Sequence, residues 1–242
     1  MRSAILSALA LLALAGPASA DGFSPAQRDE IVRIVRDALK NDPGILRDAL
    51  VALQGDEAKR QDKVTGDVLG LVGAKLVAAA DPVAGNPAGD VTIVEFYDTR
   101  CPYCRRMLPT VDALLKADPK IRYVYKDWPI LGPTSQLESR ALLAAQRQGG
   151  YFKLQDALMR EGAAPTSETI RADAERLGLD GGQLLRDMDD PAIKARLDAN
   201  LALAQQIGLQ GTPALIIGQR LIGGAMDLPE LRQAIAEARR AR

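Results

Sequence analysis

Only two cysteines occur in the 242 residues, and they stand together as Cys101-Pro102-Tyr103-Cys104. The thiolate is the reactive form of cysteine, and a pair at this spacing can cycle between dithiol and disulfide. The tetrapeptide closely follows the apolar run Val91-Thr92-Ile93-Val94-Glu95-Phe96, so it falls where a strand hands over to a helix. Free N–H groups at a helix start favour a negative sulfur on the first cysteine. Cys101 is therefore the expected nucleophile, faced by the amides of Tyr103 and Cys104, and Cys104 the resolving thiol. Pro102 suits the first helical turn, where a missing N–H is of no consequence. Tyr103 modulates the surroundings of the sulfur in this reading.

Other uses of the pair are weaker. A structural disulfide across so short a loop restrains little of the unfolded chain. A zinc site needs two further ligands in a chain without histidine. The absence of histidine also removes Ser/His and Cys/His catalysis. The chemistry calls for no cofactor and no resident metal. Thirty-one basic residues balance 31 acidic ones, so there is no basic field for nucleic acid and no nucleic-acid partner is expected.

Three arginines, Arg100, Arg105 and Arg106, surround the dithiol in sequence. Their charge favours thiolate if they face the sulfur and does little if they are a solvated helix surface. Tyr97 and Trp128 either line a substrate groove or belong to the core.

Stepping outward, residues 1–20 read as a secretory signal: Arg2, an apolar stretch from Ala4 to Ala15, and the small-residue site Ala18-Ser19-Ala20. About 12 apolar residues fall short of the roughly 20 that span a bilayer. Export implies an oxidising compartment, where a dithiol has redox work to do.

From Ser24 the chain reads as a helix, with Pro25 at its first position and Ile31, Ile34, Val35, Ala38 and Leu39 on one stripe. Asn41-Asp42-Pro43-Gly44 interrupts it, and a second amphipathic piece carrying Ile45, Leu46, Ala49, Leu50 and Leu53 runs to Gly55. Residues 56–80 form a connecting helix, and the proline- and glycine-rich Asp81–Asp90 stretch a hinge. Such an arm folds back on its own domain or pairs with copies of itself, and its length favours self-association.

Beyond the hinge, Val91–Phe96 is a strand, Pro102–Lys116 a helix and Ile121–Tyr125 a second strand, together a βαβ unit. Residues 135–207 are helical. A hairpin at Ala214–Ile217 and Arg220–Ile222 and a helix from Leu228 close the chain. The expected class is α/β, a mixed sheet flanked by helices with an all-helical insertion.

The dithiol at a strand end, Gly211-Thr212-Pro213 before the hairpin and the inserted helices together resemble the DsbA-like thioredoxin fold over roughly residues 87–242. Tyr125-Lys126-Asp127-Trp128-Pro129-Ile130-Leu131-Gly132 and Gly208–Ala214 add to the likeness. Within residues 22–54, Glu30–Leu39 followed by Asn41-Asp42-Pro43 is similar to the N-terminal segment of the ScsC family, suppressor of copper sensitivity protein C. The resemblance implies four parts: a signal peptide (1–20), a helical oligomerisation segment (21–55), a helical linker and hinge (56–86), and a DsbA-like domain (87–242). It also implies a homo-oligomeric periplasmic disulfide isomerase, a trimer among the options, that acts on protein disulfides and is recycled by a membrane redox partner.

Residue by residue, the resemblance makes Thr212-Pro213 a cis-proline pair that docks an extended substrate beside the sulfurs. It makes Glu95 a buried acid, whose pKa burial should raise. Glu95 then relays a proton for Cys104 with Lys126 as its charge partner, whereas a solvent-facing glutamate is the alternative. Two other functions stay open: a monomeric dithiol oxidase of the DsbA type, and a copper-binding protein using the two thiolates. Glutaredoxin shares the Cys-Pro-Tyr-Cys tetrapeptide but lacks the export signal, insertion and arm.

Overall fold

The computed structural model describes residues 23–241, and the signal-like residues 1–20 lie outside them. The chain divides into two compact units, one up to Glu57 and one from Ala58 onward.

The first unit opens with helix α1, Pro25–Asn41, capped by Ser24 and Gln27 in a reciprocal box, with Pro25 in the first turn. None of its residues is buried. Its apolar positions Ile31, Val32, Ile34 and Val35 are exposed, as are Ile45, Leu46, Leu50 and Leu53 in the first part of helix α2.

Helix α2 runs from Gly44 to Leu76, so it does not stop at Gly55. One interior glycine costs about 1 kcal/mol, too little to end a helix with good formers such as Leu53, Gln54, Arg60 and Lys63 around it. Within the second unit the end of α2 is core: Leu69, Val72 and Leu76 pack with Val94, Phe96, Val124 and Trp128. Asp81–Asp90 is likewise no free hinge. It contains strand β1, Val83–Gly85, antiparallel to the central sheet, and Asp81 beside it is buried. The tight approach of Gly85, whose φ is 73° and whose missing Cβ would sit 2.6 Å from the Ile121 carbonyl oxygen, ends that strand.

The sheet is completed by β2 (Val91–Tyr97), β3 (Ile121–Asp127), β4 (Ala214–Ile217) and β5 (Arg220–Gly223), in the order β1-β3-β2-β4-β5. β2 and β3 are parallel and joined through helix α3, Pro102–Ala117; β4 runs antiparallel to β2, and β5 to β4. Five helices intervene between β3 and β4: α4 (Pro133–Arg147), α5 (Tyr151–Arg160), α6 (Ser167–Arg176), α7 (Gly181–Met188) and α8 (Pro191–Gln206). Helix α9, Leu228–Arg240, closes the unit.

Alternation along the central strands sorts side chains between two cores. Ile93, Tyr97, Tyr123, Tyr125 and Leu215 join α3, α9 and the inserted helices. Val94, Phe96, Val124 and Ile216 join α8 and the end of α2 on the other face. Glu95 shares the first face and Lys126 the second, because the parallel register sets Glu95 against Tyr125 and Phe96 against Lys126.

Candidate active site

Cys101 is the N-cap of α3, and Pro102 occupies the first helical turn. Both cysteines are free thiols with little exposure, 4% for Cys101 and 2% for Cys104. The Cys101 thiol is pulled down from its ordinary 9.0 to about 5. The largest cause is a hydrogen bond from the Cys104 thiol; Thr212 and the amides of Cys104 and Tyr103 add to it, while burial opposes it. Cys104 moves the other way, driven up first by burial and then by its bond to Cys101 and the charge of Glu95. One sulfur is thus ionised at neutral pH and the other holds its proton, the division of labour that nucleophile and resolving thiol require.

Opposite the dithiol, the Thr212-Pro213 peptide bond is cis. The Thr212 carbonyl oxygen lies 3.2 Å from the Cys101 sulfur. The Pro213 carbonyl is itself anchored by the Gly224 amide at 2.8 Å.

Glu95 is 3% exposed, so it is not the solvent-facing glutamate that alternation leaves open. Burial lifts its carboxyl from 4.5 to about 8, partly offset by the Tyr123 hydroxyl, which donates to Oε2 at 2.9 Å; the Cys101 charge raises it further. Glu95 and Cys104 interact electrostatically, so a carboxyl that titrates just above neutrality stands by the Cys104 thiol.

Lys126 is not its partner. The Lys126 ammonium, on the other face of the sheet, pairs with Asp81 at 2.6 Å and donates to the Lys75 carbonyl at 2.8 Å. Arg196 lies 3.7 Å from the same Asp81. Lys126 therefore ties the end of α2 and the approach to β1 to β3. The charge partner expected for Glu95 is replaced by a neutral phenol.

The three arginines also act elsewhere than on the sulfur. Arg100 donates to the Gly162 and Ala163 carbonyls, and Arg105 to those of Thr99, Leu158 and Glu161. Both fasten the end of α5 and the loop after it to the cysteine turn. Arg106 stacks on Tyr103, 4.3 Å from the ring centre. Tyr103 is half exposed beside the nucleophile, whereas Tyr97 and Trp128 are buried core residues and line no groove.

Two acids escape a reading of the sequence. Asp98, fully buried, accepts the Arg100 amide on one carboxyl oxygen at 2.8 Å and the Ile130 and Leu131 amides on the other at 2.8 and 2.9 Å. Asp127 accepts from the hydroxyls of Tyr97 and Tyr151 at 3.1 and 2.9 Å, and burial lifts its carboxyl from 3.8 to about 6. Tyr151 belongs to α5, so this cluster joins the sheet to the inserted helices. Each acid sits at a strand end, the one signal that could have flagged it.

Among the described residues no group of three or more His, Cys, Asp or Glu side chains could hold a metal ion, and no helix is long and apolar enough to cross a membrane.

A thioredoxin-type sheet that presents an ionised N-capping cysteine, a protonated partner and a cis-proline defines a thiol–disulfide oxidoreductase. The chain belongs to the DsbA-like thioredoxin family: residues 92–236 match the DSBA-like thioredoxin domain, and residues 27–60 match the copper resistance protein ScsC N-terminal domain. It is 42% identical to a thioredoxin-like oxidoreductase from Silicibacter pomeroyi, covering 68% of this chain and 95% of that one with a TM-score of 0.65. It is 27% identical to Proteus mirabilis ScsC in a transitional conformation, covering 91% and 98% of the two chains with a TM-score of 0.66. A curated relative, Na(+)/H(+) antiporter NhaA 3 of Salinispora tropica, is 28% identical over 187 residues. That match takes in 75% of this chain, which spans only 28% of the antiporter's length.

Proposed function

We propose that the protein is a periplasmic disulfide isomerase or reductase that works as a homo-oligomer held by its N-terminal arm. The observation that carries this reading is the uncovered apolar stripe of α1 and the first part of α2, with Ile34, Val35, Leu50 and Leu53 each at least half exposed. Exposed apolar stripes of this kind mark surfaces that pair with another chain. The ScsC N-terminal match over the same residues supports that assignment. The signal-like residues 1–20 support export.

In the reaction, the Cys101 thiolate attacks one sulfur of a client disulfide. A Cys101–client disulfide forms and the client's other sulfur leaves as thiolate. In isomerisation a second client thiolate then attacks that mixed disulfide, restoring Cys101 and leaving a rearranged client bond. In reduction Cys104 passes its proton to Glu95 in its ionised fraction and attacks Cys101; the client's second sulfur leaves as thiolate, both client sulfurs take protons from solvent, and the enzyme is left as disulfide. A membrane redox partner returns it to the dithiol. Several sites on one oligomer raise the effective concentration around a misfolded client.

Refolding of scrambled ribonuclease tests this. The chain from Ala58 onward keeps Leu69, Val72 and Leu76 in their core, so the cut falls there and not at residue 86. The full mature chain is expected to isomerise the substrate and to scatter light as an oligomer. The shortened chain should be monomeric and a poor isomerase. Equal activity from both removes the role given to the arm.

A second reading draws on the depressed Cys101 thiol. A thiolate stable at about pH 5 is a good leaving group, which makes the corresponding disulfide oxidising. That fits a monomeric oxidase that donates its disulfide to newly exported chains. A monomer found oxidised in cells supports the oxidase, and an oligomer found reduced supports the isomerase.

A further inference from the structure

Two cations lie on the face of β3 that looks towards the end of α2, because Arg122, Val124 and Lys126 alternate with Ile121, Tyr123 and Tyr125 of the other core. Lys126 meets Asp81 there. Arg122 has no such counterpart: its Nε is buried without a hydrogen-bond partner, and among the described residues no carboxylate pairs with its side chain. A guanidinium donor taken out of water and left unpaired is costly, so the empty place beside it calls for an acceptor from outside the chain.

That place is a cavity of about 700 Å³, bounded by the last turns of α2, the first residues of β2 and β3, the end of β4 and helix α9. Its size is that of a small-molecule site. Apart from Arg122 its walls are largely apolar, with Leu69 and Leu76 from α2, Val94 from β2 and Ile216 from β4. Gly70 and Gly73 of α2 also line it. A Cβ built on either meets no atom within 4 Å, so the packing of the chain itself does not require glycine, and both are poor helix formers. Their effect is to keep the space over the sheet open. β2 runs from Val91 in the cavity wall to Tyr97, next to the dithiol turn, which puts the cavity ~20 Å away, at the opposite end of the sheet.

Charge decides the class of ligand. The charged residues around the cavity are Arg122, Arg220 and Glu237, and Arg220 is already paired with Glu237. One positive charge remains, set among apolar walls, which suits a single negative charge on a long apolar body. A carboxylate accepts two parallel N–H bonds from a guanidinium, whereas a doubly charged phosphate monoester is also repelled by Glu237. We propose that this cavity binds a free fatty acid, with the carboxylate on Arg122 and the alkyl chain lying along Leu69, Leu76, Val94 and Ile216 beneath Gly70 and Gly73. The site is separate from the dithiol and does not depend on the reading given to it.

The test is titration of the full mature chain with cis-parinaric acid, a fatty acid that fluoresces when it leaves water. Saturable binding is expected, reversed by laurate and at least about tenfold less well by methyl laurate, which lacks the charge. Arg122→Met keeps an apolar stem but removes the donors, and is expected to weaken the probe about tenfold or more. Gly73→Leu fills the cavity with a better helix former; it is expected to abolish binding with no fall in the urea midpoint of unfolding, and it carries the test if Arg122→Met folds poorly. Absence of saturable binding, or equal displacement by acid and ester, overturns the inference. Undiminished binding in Gly73→Leu does so too, because the probe then sits elsewhere, as on the exposed stripe of the arm. Displacement by lysophosphatidic acid in preference to laurate assigns the cavity to a lipid phosphate and overturns the fatty-acid assignment.

Discussion

Glu95→Gln separates the buried acid's electrostatic role from its packing. In the folded chain the carboxyl titrates at about 8 against an ordinary 4.5. Folding therefore takes up a proton wherever the unfolded chain has lost it. This favourable state is fully available below about pH 4.5, and stability falls as pH rises until the folded group itself ionises near 8. At ~1.4 kcal/mol per unit, the penalty is ~1 kcal/mol at about pH 5, ~3 at about pH 7 and ~4 at about pH 8. Glutamine keeps the shape and can still accept the Tyr123 hydroxyl, but does not titrate. Its new N–H group, buried, subtracts a constant of about 1–3 kcal/mol that does not depend on pH. The diagnostic is thus the slope and not the offset. Urea unfolding of both proteins across this range should show the variant gaining ~3 kcal/mol on the wild type between about pH 5 and pH 8. The Cys101 titration is common to both and largely cancels. A difference that stays flat with pH refutes the assignment of a raised carboxyl pKa to Glu95. Where Cys104 must resolve a mixed disulfide, the variant should also accumulate that intermediate, slowed at least about tenfold by loss of the proton acceptor.

Two further expectations concern the sulfur and the ion pair behind the sheet. Alkylation by iodoacetamide should reach half its maximal rate near pH 5 for Cys101 and leave Cys104 unreacted at neutral pH; a midpoint near the ordinary 9.0 contradicts stabilisation of the thiolate at the helix start. Lys126→Met leaves the buried Asp81 carboxylate with Arg196 alone, 3.7 Å away, and should lower stability by up to ~3–5 kcal/mol in urea unfolding, while the slope assigned to Glu95 stays in place. A changed slope in that variant would restore Lys126 as the partner of Glu95.

What could be read from the chain before its structure divides along the range of the forces involved. The strand–dithiol–helix junction, the inserted helices within two residues at either end, and the closing hairpin and helix all announce themselves through periodicity, Pro102 and the turn residues Gly218-Gln219. These are local signals, and a thiolate on a helix N-terminus is a local effect. β1 escaped because it has three residues between a proline and a glycine-rich loop, and its partner strand lies some 40 positions on. The continuation of α2 into the core escaped because Leu69, Val72 and Leu76 have the same spacing whether they face a sheet or a neighbouring chain. The face Lys126 takes is not legible from alternation, which fixes side only once the register is known; Glu95 opposite Tyr125 puts Phe96, and not Glu95, level with Lys126.

The acids show the same division more sharply. That Glu95 is buried could be suspected from the apolar residues on either side of it, but its phenolic partner comes from 28 positions away. Asp98 reads as an ordinary loop residue until the Ile130 and Leu131 amides, more than 30 positions distant, close on its second oxygen. A low Cys101 titration is legible in the sequence, because the Cys104 thiol and the Tyr103 and Cys104 amides that lower it are contiguous with it. The surroundings of Glu95 and the amide contacts of Asp98 are not, since each depends on a tertiary contact. A substitution at Glu95 should accordingly alter the resolution step while Cys101 remains ionised, whereas changes within Cys101-Pro102-Tyr103-Cys104 and at Thr212 should shift the thiolate most.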